Sequence, residues 1–189
     1  SRDIVRRIHI SETTKEHIQE ALRAVPKSYI AIHIRNTDYI SNYKSLLKKI
    51  RPYLKEENVL VCSDDKRAIE YSKKYLSRSY VFTTSRHQNI GFRPLHVSDF
   101  YESASDRERA TLNSLTDLFM LSNSSHLYFS KVLGLRPTTT ARKMRFIFKK
   151  LIGRAHTYQQ TSGFSQLAEF FYQNSQEREN FFRLSSNEL

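Results

Sequence analysis

The sharpest pattern in the chain lies at Tyr29–Asp38, where Ile30, Ile32 and Ile34 alternate with Ala31, His33 and Arg35. A period of two is that of a β-strand, and isoleucines, stiff at χ1, pack well on a pleated surface. The isoleucine face is expected in the core, with His33 and Arg35 together on the other face at the strand's carboxyl end. Asn36-Thr37-Asp38 follows at once, three short polar residues suited to a turn.

Helical and strand periods alternate on either side. Thr13 with Glu16 reads as a capping box, ahead of Ile18, Ala21, Leu22 and Val25 at helical spacing and a stop at Pro26. A second helix is expected over Tyr43–Leu54, then a short apolar strand at Asn58–Cys62, a helix through Ala68, Ile69, Ser72, Tyr75 and Leu76, and a strand at Tyr80–Thr84. Ser85–Ser105 has no period and reads as a long loop. Ser105 with Glu108 opens a helix carrying Leu112, Leu115, Leu118 and Phe119 inward, and Leu127–Phe129 forms a fourth strand. Ala141–Arg154 reads as a basic helix, and Leu167, Ala168, Phe170 and Phe171 as an apolar helical face. Strands alternating with helices predict an α/β, Rossmann-like parallel sheet with helices on both faces. The expected organisation is one domain over 1–172, with a basic insertion at 131–161 and a polar tail at 173–189.

Composition narrows the function classes. A chain of 189 residues, 39% hydrophobic with four glycines and four prolines, has the material for a sizeable core. Cys62 is the only cysteine, so no internal disulfide forms, and a lone strand cysteine without a histidine partner makes a poor nucleophile. No stretch reaches the length of a membrane span and no signal-peptide core opens the chain, so the expected location is cytoplasmic or peripheral to a membrane. The net charge of +12 points to an anionic partner. Between Asp117 and Glu169 there is no acidic residue, while Lys131, Lys149, Lys150, Arg154 and four further arginines and lysines fall there. That stretch is either a solvated helix face or a surface for nucleic acid or acidic lipid.

Four groups of residues carry candidate chemistry. In open α/β sheets ligands sit outside the carboxyl ends of the strands, where His33, Arg35 and Asp38 are expected. A guanidinium fork there matches phosphate oxygens, although Arg35 paired with Asp38 in a structural role is the simpler alternative. Asp64 and Asp65 end the second strand, where Asp64 suits a helix N-cap and no third ligand makes a metal site. Asp117 interrupts an apolar helix surface, either facing solvent or accepting hydrogen bonds from a base or sugar. Ser162-Gly163-Phe164-Ser165 precedes a helix, either as a plain cap or as an anion site of backbone N–H groups and hydroxyls. Neither a Walker loop nor a dinucleotide fingerprint is present.

The order of these motifs resembles the C-terminal domain of fucosyltransferases, closest to the α-1,6-fucosyltransferase and NodZ family, with protein O-fucosyltransferases as relatives. The resemblance runs from about Ile18 to Phe171. It rests on His-x-Arg-x-Thr-Asp after an apolar strand, Ser-Asp-Asp ending the next, Thr-Asp-Leu-Phe-Met-Leu-Ser on a helix, and Ser-Gly-Phe-Ser before another. It implies the nucleotide-sugar half of a two-domain GT-B enzyme that transfers fucose from GDP-fucose to a glycan or protein hydroxyl without a metal or other cofactor. Arg35 would hold the diphosphate and assist its departure, and His33 and Asp117 would contact guanine or ribose. Asp38, Asp64 and Asp65 would line the pocket, and Ser162, Gly163, Phe164 and Ser165 would bind phosphate. The chain departs from the pattern at Asn36, where a second arginine is common, in the long insertion before the serine turn, and in having no glutamate soon after Asp38 to serve as general base. The acceptor-binding half is therefore expected elsewhere, in a longer chain, another protein or Ser85–Ser105. A basic binding module and a transferase that has lost catalysis are the competing expectations, with nucleic acid the less expected partner.

Overall fold

The computed structural model of the chain describes residues 10–37, 39–84, 103–135, 162–175 and 178. Asp38, the expected long loop apart from its last three residues, the basic helix and most of the polar tail lie outside the described residues.

Four parallel strands form the central sheet: β1 (Ile30–Ile34), β3 (Asn58–Ser63), β4 (Tyr80–Phe82) and β5 (His126–Phe129), in the spatial order β4-β3-β1-β5. Counted among themselves in chain order they run 3-2-1-4, the order that opens a Rossmann sheet. Five helices accompany them: α1 (Glu12–Arg23), α2 (Tyr43–Ile50), α3 (Lys66–Tyr75), α4 (Ala104–Ser122) and α5 (Gly163–Gln173). From β1 the chain steps outward through β3 to β4, then returns through α4 to place β5 on the other side of β1. The strand order therefore switches direction between β1 and β5, where open α/β sheets leave a crevice at their carboxyl edge.

Every residue of β1 is buried, because helices cover both faces. Ile30, Ile32 and Ile34 pack with Leu47, Ile50, Ala68, Ile69 and Leu76 beneath α2 and α3. Ala31, Leu60 and Cys62 meet Ile18, Leu118, Phe119, Met120, Leu121, Ala168 and Phe171 on the face of α1, α4 and α5. The Tyr29 hydroxyl donates to the Met120 carbonyl at 2.7 Å, tying the entry of β1 to α4. His33 is thus an interior group between β1 and α5, not an exposed one.

Local chemistry moved several boundaries. Ser11, two residues before the expected Thr13, caps α1, its hydroxyl accepting from the Thr14 N–H at 3.3 Å. Ser103, not Ser105, caps α4 by accepting from the Asp106 N–H at 3.1 Å. Pro52 falls in a 3-10 turn, Arg51–Tyr53, so α2 stops at Ile50 and not at Leu54. A second sheet was not foreseen: β2 (Tyr39–Ser41) pairs antiparallel with β6 (Val132–Leu135), the latter within the stretch read as insertion. Among the described residues no helix is long and apolar enough to cross a membrane.

Candidate functional site

The carboxyl ends of β1 and β3 are laced together by one buried carboxylate. Asp64, just past β3, accepts the Asn36 N–H at 2.8 Å, the Thr37 hydroxyl at 2.6 Å and the Arg35 Nε at 3.2 Å. Asp64 does not cap α3. The cap is Asp65, which accepts the Arg67 N–H at 3.0 Å and a forked pair from the Arg67 Nε and Nη2 at 2.9 and 3.0 Å. Asp64 has been recruited by the loop after β1, whose three donors it satisfies at once, and the cap has passed one residue on. Burial alone would raise the Asp65 carboxyl, but the bonds from Arg67 and Asn36 outweigh it and hold that group below the usual aspartate range.

Asn36 completes the strap. Its Nδ2 donates to Asp65 Oδ2 at 2.8 Å while its backbone N–H serves Asp64, so one residue engages both carboxylates. Arg35 stands beside it, 20% exposed, with its Nε on Asp64 and its guanidinium 5.8 Å from the Tyr39 ring centre. The arginine is anchored at the strand end and is not loose on the surface.

His33 joins β1 to the start of α5. Its Nδ1 lies 2.7 Å from the Ser165 Oγ, and its ring centre is 5.0 Å from that of Phe164. The Ser162 hydroxyl caps α5 by accepting from the Ser165 N–H at 3.2 Å and lies 3.0 Å from the Ser165 Oγ. Ser165 is buried, so its hydroxyl serves the histidine; among the described residues the N–H groups of Gly163 and Phe164 have no acceptor. A Cβ on Gly163 would meet no atom within 4 Å, so the glycine leaves space that the protein itself does not fill. Burial, and after it the Arg35 charge, pushes the His33 imidazole down to about 3, so the ring is neutral around pH 7. Its Nε2 has no partner among the described residues.

Asp117 is buried on α4 and not solvent-facing; its Oδ1 accepts the Thr84 hydroxyl at 2.7 Å. Thr84 in turn lies 3.9 Å from the Cys62 Sγ, and Cys62 pairs in register with His33. A 490 Å³ cavity opens beside this group, lined by Thr84, Thr116, Asn113, Phe82 and residues of α1.

Of the expected site residues, His33, Arg35, Asp64, Asp65, Asp117 and the turn at Ser162–Ser165 thus gather at one edge of the sheet. Asp38 lies outside the described residues. Asn36, Thr37, Arg67 and Thr84 were missed. Asn36 was expected as a turn residue and as a departure from a second arginine, not as a brace, and nothing in the local sequence marks Thr84 as a partner of Asp117, 33 residues away. Arg67 was within reach of reasoning, since a cation two residues after a helix-capping aspartate can fold back onto it. Among the described residues no cluster of three or more potential metal ligands occurs. No protein-family model, curated protein or solved structure matches the chain.

Proposed function

We propose that this chain is the nucleotide-sugar domain of a fucosyltransferase of the GT-B type, binding GDP-fucose without a metal and delivering fucose to a glycan or protein hydroxyl. The observation that carries the reading is that β1 presents, two residues apart, the arginine braced by Asp64 and the histidine on which the α5 N-terminus is seated. The guanidinium is pinned by buried Asp64 across the carboxyl ends of β1 and β3, and the helix is seated through Ser165 on His33, two residues before that arginine. Cleavage of the bond between the fucosyl carbon and the phosphate oxygen leaves a growing negative charge on the diphosphate. Arg35 and the open N–H groups of Gly163 and Phe164 stabilise that charge without reorganising, since both are fixed before the substrate arrives. Neutral His33, through Nε2, and Asp117 hold the base or ribose, as the family resemblance implies. Asp64 and Asp65 act through the loop they brace and line the pocket behind it.

The acceptor and its base come from residues outside this site, because Asp64 and Asp65, the carboxylates beside Arg35 among the described residues, are committed to hydrogen bonds within the fold. Arg35→Ala tests the assignment. The variant should still unfold cooperatively, at a lower temperature because buried Asp64 loses its cation, and bind GDP at least 100-fold more weakly below that transition, the loss expected when a charge-assisted phosphate contact is removed. A folded Arg35→Ala protein with parental GDP affinity would overturn it.

A further inference from the structure

The end of the sheet opposite the candidate site carries a separate basic surface. In a parallel α/β arrangement each helix ends where the next strand begins, so the C-termini of α2 and α3 meet at the amino-terminal edge of β3 and β4. Exposed Lys48 and Lys49 close α2, and exposed Lys73 and Lys74 close α3. Arg51, Lys55 and Arg78 lie in the turns between, all exposed, and line a 260 Å³ cleft with Pro52, Leu76 and Ser79. The Arg51 guanidinium sits 5.0 Å from the Tyr75 ring centre, which links the two helix ends. Against these seven cations stand Glu56 and Glu57 in the turn before β3. None of the seven forms an ion pair with a carboxylate among the described residues. Lysines in a last helical turn complement the helix dipole, which accounts for the four on α2 and α3. It does not account for three further cations converging on one cleft.

Exposed aromatic residues accompany the charge. Tyr53 is 72% and Tyr80 64% exposed, and both lie at this end, on the turn after α2 and at the first position of β4. A phenol left in water beside cations suits the headgroup layer of a bilayer, where the ring is half-dehydrated and the hydroxyl stays wet. The charges are spread over two helix ends and two turns, a broad end face and not a groove that could track a nucleic-acid backbone. The central cleft has room for a single anionic headgroup.

We infer that this end face docks the protein on an anionic phospholipid surface through Arg51, Lys55 and Arg78, with Tyr53 and Tyr80 at the headgroup level. The candidate site then opens away from the membrane, toward solvent. The inference stands independently of the nucleotide-sugar reading, since none of the cations that carry it has a role in that reading.

The test is co-sedimentation of the intact chain with phosphatidylcholine vesicles, with and without phosphatidylserine. Binding should require phosphatidylserine and weaken steeply with added salt. The combined Arg51→Gln, Lys55→Gln and Arg78→Gln variant should lose about 100-fold in partition, at roughly fivefold per removed charge. Arg51→Lys with Arg78→Lys, which keeps the charges, should bind like the parent, and Tyr53→Ala should weaken binding with the salt response unchanged. The melting temperature of each variant checks that it folds. Parental binding by the folded triple-Gln variant would overturn the inference. So would loss of binding on neutralising Lys149, Lys150 and Arg154 instead, or capture of a duplex oligonucleotide by this face with no vesicle binding.

Discussion

Asn36 bridges both carboxylates at the strand end, donating from its backbone to Asp64 and from its side chain to Asp65. Asn36→Ala keeps the first bond and deletes the second, leaving Asp65 Oδ2 to the half-exposed Arg67 guanidinium. The expected cost is about 1–3 kcal/mol in urea unfolding, together with weaker GDP binding as the Arg35 loop loosens. Gly163→Ala separates folding from binding in the opposite way. Its Cβ meets nothing in the protein, so stability should hold or rise by a few tenths of a kcal/mol, while GDP affinity falls because the methyl occupies the approach of a phosphate. His33 carries the pH dependence. Its folded-state pKa, pushed down by burial to about 3, lies below that of the unfolded chain, so the unfolded state binds the proton first. Stability should therefore drop as pH falls below about 6.5, with a slope approaching 1.4 kcal/mol per unit. Asp65, also held low, adds its loss only below the ordinary aspartate range. Urea midpoints between neutral pH and pH 5 should thus fall for the parent and stay flatter for His33→Gln.

At the scale of elements, α5 is the part whose docking builds the site. Phe171 is buried and stacks on Phe119 of α4 with ring centres 5.9 Å apart, and Ala168 joins it in the core. Phe171→Ala should cost about 3–5 kcal/mol, and at temperatures where the sheet survives it should lower nucleotide affinity as the first turn of α5 leaves His33. Hydrogen exchange at Gln166–Phe170, faster in the variant than exchange across β1 and β3, would show that coupling. This level was also where the sequence was most legible. The alternation at Ile30–Ile34 and the helical periods of α1 to α5 are set by which face meets the core, and both faces of the sheet did bury them. The caps were harder to place because serines and aspartates stand at several adjacent positions, and tertiary demand chose among them. Asp64 went to the Arg35 loop and Asp65 to the helix. The β2–β6 pair was illegible for another reason: Tyr39–Ser41 is three residues long and finds its partner some ninety positions away.

At the scale of the molecule, the 3-2-1-4 strand order turns separate motifs into one site. His33 and Arg35 on β1, the aspartates after β3, Thr84 after β4 and the start of α5 share no local sequence signal. They meet because parallel strands bring their carboxyl ends to one edge, where the strand order switches beside β1. The convergence could be anticipated from alternating strands and helices, whereas the bonds that brace it, those of Asn36, Thr37 and Arg67, could not. The same topology collects helix C-termini and basic turns at the far edge, giving the domain two ends of different chemistry. The central claim is that the carboxyl end takes a GDP-sugar without a metal. Calorimetric titration with GDP, GDP-fucose, GDP-mannose and UDP-glucose, with and without EDTA, tests it most directly. The account predicts micromolar binding of GDP and GDP-fucose, weaker or absent binding of UDP-glucose, no effect of EDTA, and loss of the signal in Arg35→Ala. Equal binding of every nucleotide sugar by the parent and by folded Arg35→Ala, or no binding of any of them, would contradict it.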